Sequence, residues 1–483
     1  MERFPELLGA TLLAVLLAAT GCMVGPHYAR PSAAAPPAFK EQPPVNFKEA
    51  EAAGWKQSQP GDAYSKGKWW ELYNDAALNA LEEQVSVSNQ NVLQAEAQYR
   101  QAKAAVTVAR AALSPVATTA PAFSEGRGSG SATGSGSSLR SFNLPVNVSW
   151  EPDLWGNIRR GATASAATAE SLAANVGNAK LLFQAELAQD YFGLRGNDAE
   201  AALLARTEAS YEEYLALTRK RVAAGVAAEL EVAQAETQLY AVQSQLEDLG
   251  VQRAAFEHAI AVLSGKAPVE LTIAPAALDA LPPPIPLGVP SELLERRPDI
   301  AGAERQVAAA NEQIGIAVAA FYPTLSLTGG AGLESSSLAK WFTWPSRFWS
   351  VGPQLAETLF DAGRRRGVVA EQRAAYDGTV AAYRQTVLTA MQEVEDSLAA
   401  LRILGGEADK VRQTVQAATR ALDIATAQYR SGTVDYLTVI TAQAALLGAE
   451  VTAVTLSTRR MTASVALIGA LGGGWNASQF PVK

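Results

Sequence analysis

The chain carries two kinds of hydrophobic pattern, and each predicts a different element. Over most of its length apolar residues recur at steps of three and four. Positions 300, 303, 307, 310, 314, 317 and 321 hold Ile, Ala, Val, Ala, Ile, Ala and Phe. A matching row runs from Leu78 through Val85, Val92, Tyr99 and Val106 to Leu113, broken only by Ser88. The longest row runs from Val380 to Tyr429 through Val387, Val394, Leu401, Leu404, Val411, Val415 and Leu422, with Ser397 its one polar member. Another joins Leu437, Ile440, Ala444, Leu447, Val451, Val454, Thr458, Met461, Val465 and Ile468. Arg159–Val222 is periodic but less regular. Apolar residues every 3.5 positions need a partner helix and wind into a left-handed supercoil. The phase passes straight through Gly405-Gly406, so one helix is predicted from Gly363 to Ser431, about 100 Å long at 1.5 Å per residue. A globular domain has no need of such a rod.

Between the helices the period falls to two. Phe142, Leu144, Val146, Val148 and Trp150 alternate with Asn143, Pro145, Asn147, Ser149 and Glu151. Leu325, Leu327, Gly329, Ala331 and Leu333 alternate with Thr324, Ser326, Thr328, Gly330 and Gly332, and Trp349, Val351, Pro353 and Leu355 with Ser350, Gly352 and Gln354. Strict alternation reads as a strand with one oily and one polar face. Val116–Ser124 is the least regular of four such segments. Gly126–Ser138 is nearly all Gly and Ser, and Ser335–Ser346 holds Trp341, Phe342 and Trp344. Trp150, Trp155, Phe348 and Trp349 are candidates for an interfacial aromatic girdle. Four strands cannot close a barrel, and an open edge is prohibitive in lipid because its backbone groups find no water. Strands in a membrane therefore require several copies to share one barrel.

The pattern is used twice. Asn91-Val92 and Glu96 recur 208 positions on as Asp299-Ile300 and Glu304. Ser114-Pro115 recurs as Tyr322-Pro323, and Leu263-Ser264-Gly265 as Leu471-Gly472-Gly473, at the same spacing; Gly225, Leu230 and Val232 recur 207 on as Gly432, Leu437 and Val439, and Gln189-Asp190 recurs 206 on as Glu395-Asp396. A near-constant offset means tandem duplication. Each half reads helix, strand, strand, long helix, sharp turn, helix. Pro31–Pro44 reads as an extended tether, and Ala267–Pro290, with Pro282-Pro283-Pro284, as the linker between halves.

Composition narrows the function. A net charge of −8 over 483 residues argues against nucleic acid, which needs a basic face. His27, His258 and Cys22 are the only histidines and cysteine, so a His/Cys metal cluster and an internal disulfide are both excluded. There is no Ser/His/Asp set, and the glycine run from Gly126 does not lead from a strand into a helix with a lysine, as a phosphate loop does. The chain therefore reads as a non-enzyme with no cofactor, whose chemistry lies in shape, lining and gate. Leu7–Ala19 has the length of a signal h-region, too short to span a bilayer. It runs into Ala19-Thr20-Gly21-Cys22, a lipoprotein-type junction that makes Cys22 the lipidation candidate. Met23, not Asp, follows it, which points to outward sorting. Arg159-Arg160 and Arg364-Arg365-Arg366 open two long helices against the macrodipole, so something else must favour them; headgroups and intersubunit carboxylates are the two candidates. Gly225, after Arg221, and Gly432, after Arg430, fit C′ glycines that end and reverse a long helix.

Several motifs now stand in one order: Gly21-Cys22-Met23-Val24-Gly25-Pro26, Trp69-Trp70, Pro152-Asp153-Leu154-Trp155-Gly156, Arg296-Arg297-Pro298-Asp299-Ile300, Phe321-Tyr322-Pro323, Leu359-Phe360-Asp361-Ala362-Gly363-Arg364 and Tyr429-Arg430-Ser431-Gly432. In these the chain resembles the outer-membrane efflux proteins of the TolC superfamily, within it the lipidated OprM/NodT branch that serves resistance-nodulation-division pumps. The resemblance covers the mature chain nearly end to end. It implies a mixed α and β membrane fold: a homotrimer with a 12-stranded β-barrel, four strands per chain, continued by a long α-helical barrel across the periplasm. It implies a periplasmic adaptor and an inner-membrane resistance-nodulation-division pump as partners, and outer-membrane lipid around the barrel. The expected organisation is a lipoprotein signal at 1–21, anchor, tether and equatorial segment at 22–75, first repeat at 76–265, linker at 266–289, second repeat at 290–472 and tail at 473–483. The resemblance also makes Asp423, with Arg420 beside it, the periplasmic gate. Arg221, Gly225, Arg430, Gly432 and Thr433 become the adaptor-docking tips. A solvated helix face is the alternative for Asp423. A type I protein-secretion duct, or a pore-free coiled-coil lipoprotein, is the alternative for the whole.

Overall fold

The computed structural model describes residues 23–33, 36–41, 55–57, 67–127, 138–278, 281–283, 285–287 and 296–475. Cys22, the residues 1–21 expected to form a signal, most of the Gly/Ser loop and the end of the C-terminal tail lie outside them. In chain order the elements are β1 (Trp55–Gln57), α1 (Ala76–Ser88), α2 (Gln90–Ala111), β2 (Val116–Thr119), β3 (Ala122–Arg127), β4 (Ser138–Trp150), α3 (Asn157–Ala223), α4 (Glu229–Leu263), β5 (Ile285–Leu287), α5 (Pro298–Ala319), β6 (Thr324–Ser335), β7 (Arg347–Ala356), α6 (Arg364–Arg430) and α7 (Tyr436–Ala470). Helices α3 and α6 each run 67 residues without a break, and α6 begins and ends within one residue of the limits that its apolar row predicts.

The single row from Leu78 to Leu113 becomes two helices. Asn89 is extended between them (φ −63°, ψ 122°). Its side chain accepts from Asn91 N and Val92 N, at 2.9 and 3.2 Å, and so caps α2. An Asn offers the backbone this local alternative to a continued helix.

The chain divides into two compact units. The first takes Met1–Ser32, Gln98–Leu172 and Gly302–Tyr383. Its centre is an antiparallel sheet in the order β2/β3, β4, β6, β7. Strands β2 and β3 both pair with β4 and together fill one strand position. Pro121 separates them, since it has no N–H to give the ladder. One chain thus supplies four strand positions.

The second unit takes Ala33–Ala97, Ala173–Ala301 and Arg384–Lys483. A short parallel pair joins β1 to β5, Trp55 opposite Ile285. The duplication is visible in its backbone. Asn89 Nδ2 donates to Leu263 O at 2.9 Å, and Arg297 donates to Ala470 O at 3.0 Å, each 207 or 208 positions from its counterpart. A side chain on Gly265 would collide with the Ser88 carbonyl, and one on Gly472 with that of Arg296. Helix α7 alone among the described helices is long and apolar enough to cross a bilayer. Its Met461, Val465, Leu467 and Ile468 are fully buried within the unit. Each such side chain contributes about 1.5–3 kcal/mol of burial, so protein rather than lipid accounts for this face.

Candidate functional site: a two-faced sheet and two glycine turns

Residues paired across an antiparallel ladder share a face, so the register sorts every side chain of the sheet. Val146 lies opposite Thr119 and Ala331, and Ala331 opposite Trp349. Val148, Gly329 and Val351 form the next row, and Trp150, Leu327 and Pro353 the one after. On the other face Asn147 aligns with Thr118, Gly330 and Ser350, and Ser149 with Thr328 and Gly352. The apolar and polar sets predicted for separate strands therefore fall on common faces. A slip of one residue would have mixed them. Trp349 and Val351 are 78% and 77% exposed on the apolar face. An apolar band this bare needs lipid or a partner to cover it. Gly330 and Gly332 lie on the polar face, and a side chain at Gly332 would collide with the Leu144 carbonyl and the Phe348 ring.

Two members of the expected girdle sit elsewhere. Phe348 belongs to the polar-face row, opposite Gly332. Trp155 stacks on Tyr322 at 4.8 Å and donates to Pro323 O at 2.8 Å, packed within the unit. Trp150 and Trp349 remain on the apolar face.

Where the sheet meets the helices, the arginines find partners inside the chain. Arg159 donates to Asp153 through its backbone and side chain, at 2.8 and 3.1 Å. Arg365 does the same with Asp361, at 3.1 and 2.7 Å. Backbone and guanidinium together hold the Asp361 carboxyl below the usual carboxylate range. Arg160 is wholly buried. It donates to Glu312 at 2.7 Å, to Val24 O at 2.8 Å and to Pro26 O at 3.1 Å. It crosses Gly315, where any side chain would collide with it. This ties the segment after Met23 to α3 and α5, and Met23 itself packs on Gly156. Neither headgroups nor intersubunit carboxylates are needed for Arg159, Arg160 or Arg365. Arg364 and Arg366 stay exposed.

At the other helix ends both reversals are built alike. Gly225 has φ +74° and Gly432 φ +75°. Gly225 N donates to Val222 O and Val226 N to Arg221 O, at 2.9 and 3.0 Å. Gly432 N and Thr433 N repeat this with Tyr429 O and Gln428 O, both at 3.0 Å. These are Schellman caps, whose C′ residue is left-handed and so favours glycine. Asp435 then caps α7 by accepting from Thr438 N at 3.1 Å. That bond and the Thr438 hydroxyl lower its pKa.

Behind the caps lies a tyrosine-rich core. Tyr211, Tyr429 and Tyr436 are buried with Leu215, Val232, Leu239 and Val439. Burial pushes the Tyr429 and Tyr436 hydroxyls up. The Arg221 guanidinium stacks over Tyr429 at 4.2 Å and donates to its carbonyl at 3.1 Å. Tyr429 donates to Glu231 at 3.0 Å. One side chain thus links α3, α4 and α6. Sequence reasoning named Arg221 as a tip residue and Tyr429 as the end of the longest apolar row, but gave Tyr429 no role at the tip and did not name Glu231, 198 positions away. Arg420 and Asp423 share an exposed face of α6 with Gln416 and Arg430, and Gly225, Gly432 and Thr433 are exposed. Among the described residues Asp423 has no ion-pair partner. No group of three or more His, Cys, Asp or Glu residues is placed to hold a metal among the described residues.

A family model described as outer membrane efflux protein matches residues 81–266 and 289–473. Outer membrane protein OprJ of Pseudomonas aeruginosa is 32% identical over 475 residues, which cover 97% of this chain and 96% of that protein. The toluene efflux pump outer membrane protein TtgF of Pseudomonas putida is 30% identical over 491 residues, covering 97% and 98%. Among solved structures the outer-membrane channel OprN superposes with a TM-score of 0.87 at 30% identity, covering 94% of this chain and 100% of that one. The open-state MtrE channel of Neisseria gonorrhoeae shares the fold, with a TM-score of 0.83 at 24% identity over 94% and 99% of the two chains.

Proposed function

Because this chain belongs to the outer membrane efflux protein family, we propose that it is the exit duct of a tripartite pump, passing small molecules across the periplasm and the outer membrane. The observation that carries the reading is the sheet: four strand positions, a band of exposed and half-buried apolar side chains from Trp150 to Phe142 on one face, a mainly polar set on the other, and an unpaired edge on each side. Strand β7 runs antiparallel to β2/β3, so its edge fits the β2/β3 edge of a second copy in the same alternation. Three copies give twelve strands with the apolar face to lipid and the polar face to the lumen. Lipidation of Cys22 after removal of residues 1–21 adds a second attachment, and the pinning of Met23–Pro26 beside the sheet supports that placement. The glycine tips, with Arg221, Arg430 and Thr433, are the surface offered to a periplasmic adaptor, through which an inner-membrane pump delivers substrate. Relatives are named for the efflux of toluene and solvents or the export of pyoverdine. The polar wall here carries mainly Asn, Ser, Thr, Gln and Gly, with Phe348 and Glu334 among them, which suits unselective passage of cargo chosen upstream.

In this reading Asp423 and Arg420 face the axis near the closed tip. Three carboxylates there bind cations and narrow the aperture. In planar bilayers Asp423→Ala is expected to raise single-channel conductance and weaken block by multivalent cations, while Gln416→Ala on the same exposed face leaves both unchanged. Wild-type conductance and cation block in Asp423→Ala would move the constriction elsewhere.

A further inference from the structure

The apolar face of the sheet ends in arginine. Along β4 the side chains on this face run Trp150, Val148, Val146, Leu144, Phe142 and then Arg140. In β3, Phe123 lies opposite Phe142, and the next two positions on the face are Glu125 and Arg127. In β7, Arg347 precedes Trp349 on the same face, in the row of Leu333 and Leu144. Arg127 and Arg140 lie at the far ends of β3 and β4, and Arg347 at that end of the shorter β7, two rows nearer the helix junctions than Arg140; all three are exposed. In an outer-membrane protein whose helices extend into the periplasm, that end meets the outer leaflet.

These guanidiniums are not used up within the chain. Arg140 shares Glu125 at 2.9 Å, in a pair open to solvent. Arg127 and Arg347 have no carboxylate partner among the described residues, and residues 128–137, Gly-Ser-Gly-Ser-Ala-Thr-Gly-Ser-Gly-Ser, carry no charge. Arg347 instead lies over the Trp344 ring at 3.7 Å. That stacking orients the guanidinium while the indole, 74% exposed, offers apolar surface beside it. The junction end differs: there Arg159 and Arg365 are each held by an aspartate. Arginines therefore mark one end of the lipid-facing band, two of them, Arg127 and Arg347, without a carboxylate partner among the described residues.

We propose that this rim binds phosphorylated glycolipid of the outer leaflet, acyl chains against the apolar band and sugar phosphates on the guanidiniums, with Arg127 and Arg140 forming one site and Arg347 another. A guanidinium fork matches a phosphate bidentately, and the apolar surface continues directly beneath it, so one amphiphile satisfies both. The proposal rests on the apolar face being the outer one. In a closed ring each β7 runs beside a β3, so the arginines of both edges recur around the whole rim.

The test uses the full-length protein in nonionic detergent, titrated with bis-phosphorylated lipid A and with its dephosphorylated form, and read by native mass spectrometry. Wild type is expected to bind the phosphorylated form roughly tenfold or more tightly, given the worth of each cation at an anionic lipid surface. Inorganic phosphate at matched concentration is expected not to compete, since it lacks the acyl chains. The triple variant R127Q/R140Q/R347Q loses the preference, and Arg373→Gln, an exposed arginine on α6, keeps it. Equal wild-type affinity for the two lipids overturns the proposal without any variant, as does a triple variant that retains the preference. Bilayer conductance recorded on the same preparations reports the duct separately, so an active channel indifferent to phosphate sinks the lipid site and leaves the duct standing.

Discussion

Val146 and Asn147 are neighbours in β4 on opposite faces, and a charge placed at each gives a direct test of which face meets lipid. Val146 sits mid-strand, flanked on its face by Thr119 and Ala331, and is 49% exposed in the single chain. An arginine near the bilayer midplane of a lipid face costs about 2–4 kcal/mol. Since each 1.4 kcal/mol is tenfold, Val146→Arg shifts the folded-to-unfolded ratio by roughly 30- to 700-fold per chain, and by the cube of that in a threefold ring. Asn147→Arg lies over Gly330, which leaves room on the polar side, so it is expected to insert normally. Its added charge in the lumen lowers cation conductance and shifts the reversal potential toward anions. The assays are guanidinium unfolding in micelles, heat-modified mobility on gels, and planar-bilayer recording. Equal folding yields and equal conductance for the two variants would refute the two-faced assignment; the reverse outcome, with Asn147→Arg failing to insert, would invert the faces.

Three further outcomes are expected. Arg160→Ala leaves the enclosed Glu312 carboxylate without its cation, with only the 3.4 Å Asn311 amide left to it and to Pro26 O, a loss of about 3–5 kcal/mol for a broken buried pair. Thermal unfolding and faster proteolytic release of the N-terminal segment check it, and Arg160→Lys restores the charge but not the three-way fork. Burial and the nearby Glu186 raise the Asp190 pKa to about 6 from its ordinary 3.8. The folded protein holds this proton more tightly than the unfolded chain, so the contribution to stability is present below about pH 4 and is lost as pH rises through about 6; Asp190→Asn flattens that window and is the more stable at pH 7, as melting across pH 4–8 will read. Intact mass of the mature protein should show diacylglyceride and acyl chains on Cys22, and a free thiol there removes the anchor.

Much of this was readable from spacing, because coiled-coil helices and half-buried strands leave period signals that depend only on near neighbours. The limits of α6 and the faces of β4, β6 and β7 are of this kind. Helix–helix breaks were harder: only a cap geometry distinguishes Asn89 from any polar residue in a heptad row. The β2–β3 position was obscured by Pro121, which interrupts the ladder while leaving both halves on β4. Of the arginines at the helix starts, Arg159 and Arg365 have aspartates six and four residues upstream, within reach of a local reading, but Arg160 does not. Arg160 answers to Glu312, Val24 and Pro26, more than a hundred residues away in either direction, and nothing local announces such partners. The girdle fails at Phe348 by parity alone: it adjoins Trp349 in β7, so period two already places the two on opposite faces.

The two bare edges of the sheet also constrain how the protein comes into being. A lone copy has a row of unpaired N–H and C=O groups on β7 and another on β2/β3, and each is a template for any passing strand. The native partner is another copy, so the encounter that protects the edges is concentration-dependent, whereas misuse of the edges by other chains is always on offer. Stability of the finished ring is then inseparable from protomer supply. Slow synthesis favours stranded single chains, and a rise in expression shortens their lifetime more than proportionally. A mutation that merely delays ring closure, with no effect on the closed duct, should therefore register as lost yield and increased aggregation rather than as altered conductance.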